Sequence, residues 1–160
     1  MGIDLDEGCK EVYAQAVGEE GGFAVRGDSA DAAADYPLWV ADRSDLKLSE
    51  TVDMLFIDTS HTYGDTVREL AAWGPLMSDR AAIVLHDTNM PASLSYHVKD
   101  GSTGQSWDND RGVIRAVSEF VGAQWDEKGW YDSGALPLRS GWRVSHDPTS
   151  CGLTILTRGT

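Results

Sequence analysis

Four side chains with chemistry of their own stand in two short clusters, Asp58 with His61 in IDTSH and His86 with Asp87 in LHDT. Two carboxylates beside neutral imidazoles make a donor set for a hard or borderline divalent cation. An imidazole in the same place can also take a proton near neutral pH. Each residue has a plainer reading as well. A strand-end Asp58 is often a helix cap or a solvated turn acid, and His61 stands where a helix starts, with Thr59 or Ser60 as its cap. His86 can simply hydrogen-bond backbone beside the core. What favours a site is that the clusters follow the two most apolar runs of the chain.

Those runs are Val52–Ile57 and Ala81–Leu85. Near-continuous apolar runs of this length are expected of strands buried on both faces of a parallel sheet. Between them Tyr63, Val67, Leu70, Ala71 and Trp73 recur at helical spacing, closed by Gly74-Pro75. Strand, helix and strand make a βαβ unit. Ligands of such sheets bind outside the carboxyl ends of the strands, which is where the acid–histidine pairs lie.

The rest of the chain fills in an α/β domain over residues 1–160. Gly2–Leu5 and Phe23–Arg26 read as short strands, separated by a helix from about Glu7 through Val17. Gly27-Asp28-Ser29 is a turn, and a helix beginning at Ala30 is expected to break at Tyr36-Pro37. Residues 91–110, polar and rich in Gly and Ser, are expected to form a mobile loop over the substrate. An amphipathic helix follows over Gly112–Ala123. A terminal hairpin joins Trp142–Val144 to Leu153–Leu156. Asp4 or Asp6, ending the first strand, can hydrogen-bond a ribose, and Asp28-Ser29 an adenine edge; surface acids in an acidic protein are the plain alternative. Trp107, in the long loop, is a candidate substrate contact.

Composition narrows the partners. Thirteen Lys and Arg against 26 Asp and Glu leave a net charge of −13. Nucleic acid and anionic membrane surfaces both require clustered positive charge, so neither is expected as a partner. No run approaches the roughly 20 apolar residues of a membrane span. The N-terminus carries no basic and apolar signal segment, and a cytoplasmic protein is expected. Cys9 and Cys151 form no CxxC pair and are expected to be free thiols.

The stretch VDMLFIDTSHTYGDTVRELAAWGPLMSDRAAIVLHDTNMP resembles the second half of class I S-adenosylmethionine-dependent methyltransferases. More narrowly, it is similar to the small-molecule O-methyltransferase branch that includes macrolide-sugar methyltransferases and cephalosporin-hydroxylase-like proteins. There a strand ends in FID-x-x-H-x-Y and the next in HDT or EDT. GIDLDE looks like the family's second strand with its ribose acid, and VRGDSAD like the third with its adenine-side turn. NDRGVIRAVSEFV and CGLTILTR resemble the later helix and the final hairpin.

The resemblance implies a Rossmann-like sheet, mostly parallel with a C-terminal antiparallel hairpin. It implies S-adenosylmethionine as cofactor, held by Asp4 or Asp6, Asp28, Ser29 and Asp58. It implies His61 as general base, and Mg²⁺ held by Asp58, Asp87 and, in place of the family's usual acid, His86. The substrate implied is a small hydroxylated molecule. The family's first strand and glycine-rich loop have no match, since the sequence begins at the second strand. Three arrangements answer this: a longer gene, a sheet completed by a second copy in a homo-oligomer, or GIDLD moved into the vacant place with FAVRG beside it. The rival functions are a non-catalytic remnant that dimerises and a metal-dependent hydrolase using the four tip residues.

Overall fold

The apolar runs become strands, and the tips they carry end up side by side. In the computed structural model, residues 1–4, 24–42, 48–89, 95–97, 103–105 and 112–159 are described. In chain order, β1 (Gly2–Asp4) and β2 (Ala24–Arg26) lead to helix α1 (Ser29–Asp42), then β3 (Val52–Ile57) and helix α2 (Tyr63–Trp73). A 3₁₀ turn, Gly74–Leu76, enters β4 (Met77–His86). A small hairpin, β5 (Ser95–His97) with β6 (Thr103–Gln105), precedes helix α3 (Gly112–Val121). Strands β7 (Tyr131–Asp132), β8 (Arg143–Asp147) and β9 (Leu153–Thr157) finish the chain.

The main sheet runs β3-β4-β9-β8-β7. Strands β3 and β4 are parallel, as the βαβ unit requires, and β9, β8 and β7 add antiparallel to them. Helices α2 and α3 lie on one face. Leu70 from α2 and Ile114 and Val117 from α3 share a core with Ile57, Ile83, Leu85, Val144 and Leu156. Helix α1 extends that layer, packing Ala32, Ala33 and Tyr36 against Trp73 and Leu55. Helix α3 shows why patterning works: its apolar positions, Val113, Ile114, Ala116, Val117 and Val121, are all buried.

Four expectations need correction or bounds. Helix α1 does not break at Pro37 but runs through it to Asp42. A proline removes one helical N–H and crowds the preceding turn. Here Asp28 caps the helix start, buried Ala32, Ala33 and Tyr36 hold its face, and the Tyr36 hydroxyl donates to Ser49 O at 2.7 Å. Strand β3 is not buried on both faces. Leu55 and Ile57 face the helices, while Met54 and Phe56 on the other face are 65% and 55% exposed. Within 91–110 the described residues are those of the β5–β6 hairpin, and the rest of the expected mobile loop lies outside the described residues. Strands β1 and β2 pair parallel with each other in a sheet of their own, so among the described residues Gly2–Asp4 is not part of the β3–β4 sheet. The helix expected from Glu7, Cys9 and Trp107 lie outside the described residues. Among the described residues no helix is long and apolar enough to cross a membrane.

Candidate active site at the ends of β3 and β4

Parallel pairing sets Ile57 opposite Leu85, so the residues just beyond them meet. Asp58 leaves β3, and His86 and Asp87 end β4. His61 Nε2 lies 3.1 Å from Asp58 Oδ1 and 3.5 Å from Asp87 Oδ2. His86 Nδ1 lies 2.9 Å from Asp87 Oδ1 and 3.5 Å from Asp58 Oδ1. All four tip residues thus meet in one cluster. Ligand atoms of Asp58, His61 and Asp87 fall within 4.8 Å of one another. An octahedral cation with bonds of about 2.1 Å sets neighbouring ligand atoms about 3 Å apart. The His61–Asp58 and His61–Asp87 separations of 3.1 and 3.5 Å are close to that, so these donors fit such an ion. Two carboxylate oxygens and one imidazole suit Mg²⁺ or Mn²⁺.

The backbone at these tips is unusual. His61 and Asp87 both have positive φ, 57° and 54°. Residues other than glycine adopt that region sparingly, Asp and His more readily than most, and such residues gather at functional sites. Nor is Asp58 tied up as a cap, and neither Thr59 nor Ser60 fills that place. The cap of α2 is Thr62, whose hydroxyl accepts from the Asp65 N–H at 3.3 Å. Asp58 is therefore left to the cluster.

Beside the cluster lies a groove of about 350 Å³ between the turn Gly27–Ala30 and the tip Asp58–Ser60, with Arg68 and Glu69 in its wall. That is within the span of small-molecule sites, roughly 300–1,000 Å³. A second groove of about 600 Å³ follows β3 from Thr51 to Thr59 and shares Ile3, Ser29, Asp58 and Thr59 with the first. Asp28 and Ser29 both line the smaller groove, and both have structural tasks. Asp28 Oδ1 caps α1 by accepting from the Ala30 and Asp31 N–H groups, and Arg68 donates to both its oxygens. The Asp31 N–H, then Arg68, hold the Asp28 carboxyl below its ordinary range. Trp73 Nε1 donates to Ser29 O at 3.0 Å, fixing the start of α1 from beneath. Asp4 closes β1, while its side chain and all of Asp6 lie outside the described residues.

Sequence reading passed over three residues here. Arg68 and Glu69 sit in a helix whose polar positions look like ordinary solvated surface. Cys151 comes from the β8–β9 turn to hydrogen-bond the Asp87 side chain; burial first, then the Asp87 carboxylate, pushes its thiol pKa up. Glu69 is the most informative. It is only 4% exposed and accepts from the Thr59 hydroxyl at 3.0 Å. Burial raises its pKa, against the pull of Thr59 and Ser29. The native state therefore holds this proton more tightly than the unfolded chain. Glu69 favours the fold below its unfolded pKa of about 4.3, and that contribution is lost as pH rises through the folded value. Glu69→Gln removes the ionised form. Its melting temperature should gain on wild type progressively as pH rises above about 4. Parallel melting curves across that range would show that Glu69 titrates normally.

Comparison with known proteins agrees with this frame. A family model described as a methyltransferase domain matches residues 2–88, more than half of the chain. No curated protein matches. A crystal structure of a protein from Corynebacterium glutamicum, from the Northeast Structural Genomics Consortium, aligns with a TM-score of 0.57 at 16% identity. It covers 99% of this chain, and the chain spans 59% of that protein. At that identity the likeness establishes the Rossmann-like fold and nothing finer.

Proposed function

The chain belongs to the methyltransferase-domain family, and from that premise we propose that it is an S-adenosylmethionine-dependent O-methyltransferase for a small hydroxylated molecule, assisted by a divalent cation such as Mg²⁺. The observation that carries the reading is the meeting, at one strand-end cleft, of the Asp58–His61–Asp87 cluster with the groove between Gly27–Ala30 and Asp58–Ser60. The cofactor supplies an electrophilic methyl group when bound.

The chain's own residues do the rest. Ser29 and the Gly27–Ala30 backbone wall the groove that takes the adenosine half, with Asp4 or Asp6 as the ribose acid. Asp58 and Asp87, with His61 or His86, would hold the cation, which when bound would supply Lewis-acid polarisation of an acceptor hydroxyl. The imidazole of the pair not engaged by the cation accepts the hydroxyl proton. His61 can serve as that base with His86 on the cation: Asp58 Oδ1 accepts from its Nε2–H at 3.1 Å and orients the ring, so that the proton is taken at Nδ1. Direct transfer needs in-line alignment more than covalent chemistry, so orientation by these tips is the main contribution.

Calorimetric titration with S-adenosylhomocysteine, with and without Mg²⁺, tests this reading. Micromolar binding to the purified chain is the expected result. Absence of binding at millimolar ligand would end the enzymatic reading for this chain.

A second reading has its own supporting observation. Met54 and Phe56 present an uncovered apolar face on β3. Exposed apolar patches of this kind are commonly covered by a partner. An assembly of two copies through this face is the form that a non-catalytic, dimerising domain would take. Light scattering separates the cases: a dimer that persists on dilution and is dispersed by Phe56→Lys supports assembly through β3, and a monomer throughout removes it.

A further inference from the structure

Left-handed Asp87 (φ 54°) is followed directly by a backbone clamp outside the βαβ unit. The residues that follow it dock onto the β8–β9 turn. Thr88 N–H donates to Gly152 O at 3.2 Å, and Asn89 N–H donates to Cys151 O at 2.7 Å. Asn89 Nδ2 donates to Pro148 O at 2.8 Å. Gly152 permits this approach. It has φ of 84°, and a Cβ there would stand 2.5 Å from Asn89 N. No other residue type fits without moving the turn.

Beneath that backbone clamp is a buried polar chain. The Thr154 hydroxyl stands 3.0 Å from Thr88 Oγ1 and 2.8 Å from His146 Nδ1. His146 Nε2 lies 2.8 Å from Glu127 O. A carbonyl only accepts, so Nε2 carries the proton and Nδ1 is left as the acceptor toward Thr154. Thr88, Thr154 and His146 are 4%, 0% and 1% exposed. Burial makes each bond of such a chain expensive to break and confines its members to one arrangement.

We propose that the C-terminal hairpin is a positioning device for Asp87, with Thr154, Thr88 and His146 as positioning residues that keep the Asp87 carboxylate turned toward His61 and Asp58. The proposal deepens the cation-site reading and rests on it for its consequence, though not for its geometry. Partners that orient a ligand from behind typically change metal affinity 10–100-fold, roughly the scale to look for here. The Thr154 hydroxyl is the link to cut, because Thr154→Val keeps the volume and removes the bridge. Thr154→Ser restores the bridge with a smaller side chain.

Two readouts are taken on the full chain: Mn²⁺ affinity by calorimetry, and amide hydrogen exchange at individual residues. Thr154→Val should weaken Mn²⁺ binding by about tenfold or more. It should also speed exchange of the Thr88 and Asn89 amides while those of Ile83–Leu85 stay slow. Thr154→Ser should recover most of both. Should Thr154→Val fail to melt cooperatively, Asn89→Ala removes only the side-chain bond to Pro148 and is read the same way. Unchanged exchange at Thr88 and Asn89, or Mn²⁺ binding within twofold of wild type, overturns the proposal. So does a serine variant as impaired as the valine one. Wild-type protein that binds no Mn²⁺ overturns the cation reading instead, and the exchange data then decide the positioning role alone.

Discussion

Asp58→Asn is expected to lower kcat/KM for methyl transfer by about 10²–10⁴-fold, the range set by loss of an oriented general base. Asparagine keeps the volume of Asp58 and removes its charge. Two functions fail together. On the proposed mechanism the cation would lose a charged carboxylate donor, and His61 Nε2 would face a neutral amide oxygen in place of the carboxylate now 3.1 Å away. The fold should be spared, because the Asp58 side chain is 45% exposed at a strand tip and its contacts lie within the cluster. An unchanged melting temperature with lost turnover and lost Mn²⁺ binding is therefore the predicted pattern. Activity within a few-fold of wild type would remove Asp58 from the mechanism. Asp87→Asn should behave similarly, with the difference that Asp87 is mostly buried and also touches Cys151.

Trp73→Ala should cost about 3–5 kcal/mol of stability, the usual range for emptying a buried large aromatic site. Against a typical total of about 5–15 kcal/mol, that brings the fold close to collapse at ordinary temperature. Trp73 is 1% exposed and meets Tyr36 edge-on with ring centroids 5.9 Å apart. Its Nε1 also donates to Ser29 O. One side chain thus joins the end of α2 to the start of α1 and holds a wall of the smaller groove. Trp73→Phe retains most of the ring and gives up the hydrogen bond, and should cost less, about 1–3 kcal/mol. Urea denaturation followed by circular dichroism measures both. A loss below about 1 kcal/mol for Trp73→Ala would mean that the site refills on truncation.

Much of this site could be read from residue types in order. Val52–Ile57 and Ala81–Leu85 are strands, the helix between them closes at Gly74-Pro75, and parallel pairing brings their acid–histidine tips together. The terminal hairpin was equally plain from its two alternating runs and polar turn. Other features escaped for physical reasons. An apolar run states that side chains prefer burial, not that a second layer covers them, so the exposure of Met54 and Phe56 could not be read from VDMLFI. Pro37 is a strong local breaker, yet α1 is held by contacts with Trp73 and Leu55 that lie elsewhere in the chain. Glu69 looks like any helix-surface acid until Thr59 and Ser29 are known to close over it. His146 reads as a turn residue beside Asp147-Pro148, and only the β4–β9 pairing shows that it stands behind Thr88.

On the proposed function, the carboxylate–histidine cluster and the groove beside it form one catalytic cleft. The most direct test is paramagnetic relaxation of ¹³C-methyl-labelled S-adenosylmethionine by Mn²⁺ bound to the chain. Strong broadening of the methyl signal, abolished by Asp58→Asn while the cofactor still binds, is the predicted result. A bound cofactor whose methyl signal is equally sharp with wild-type and Asp58→Asn protein would place the cation and the methyl group apart, and would contradict the account.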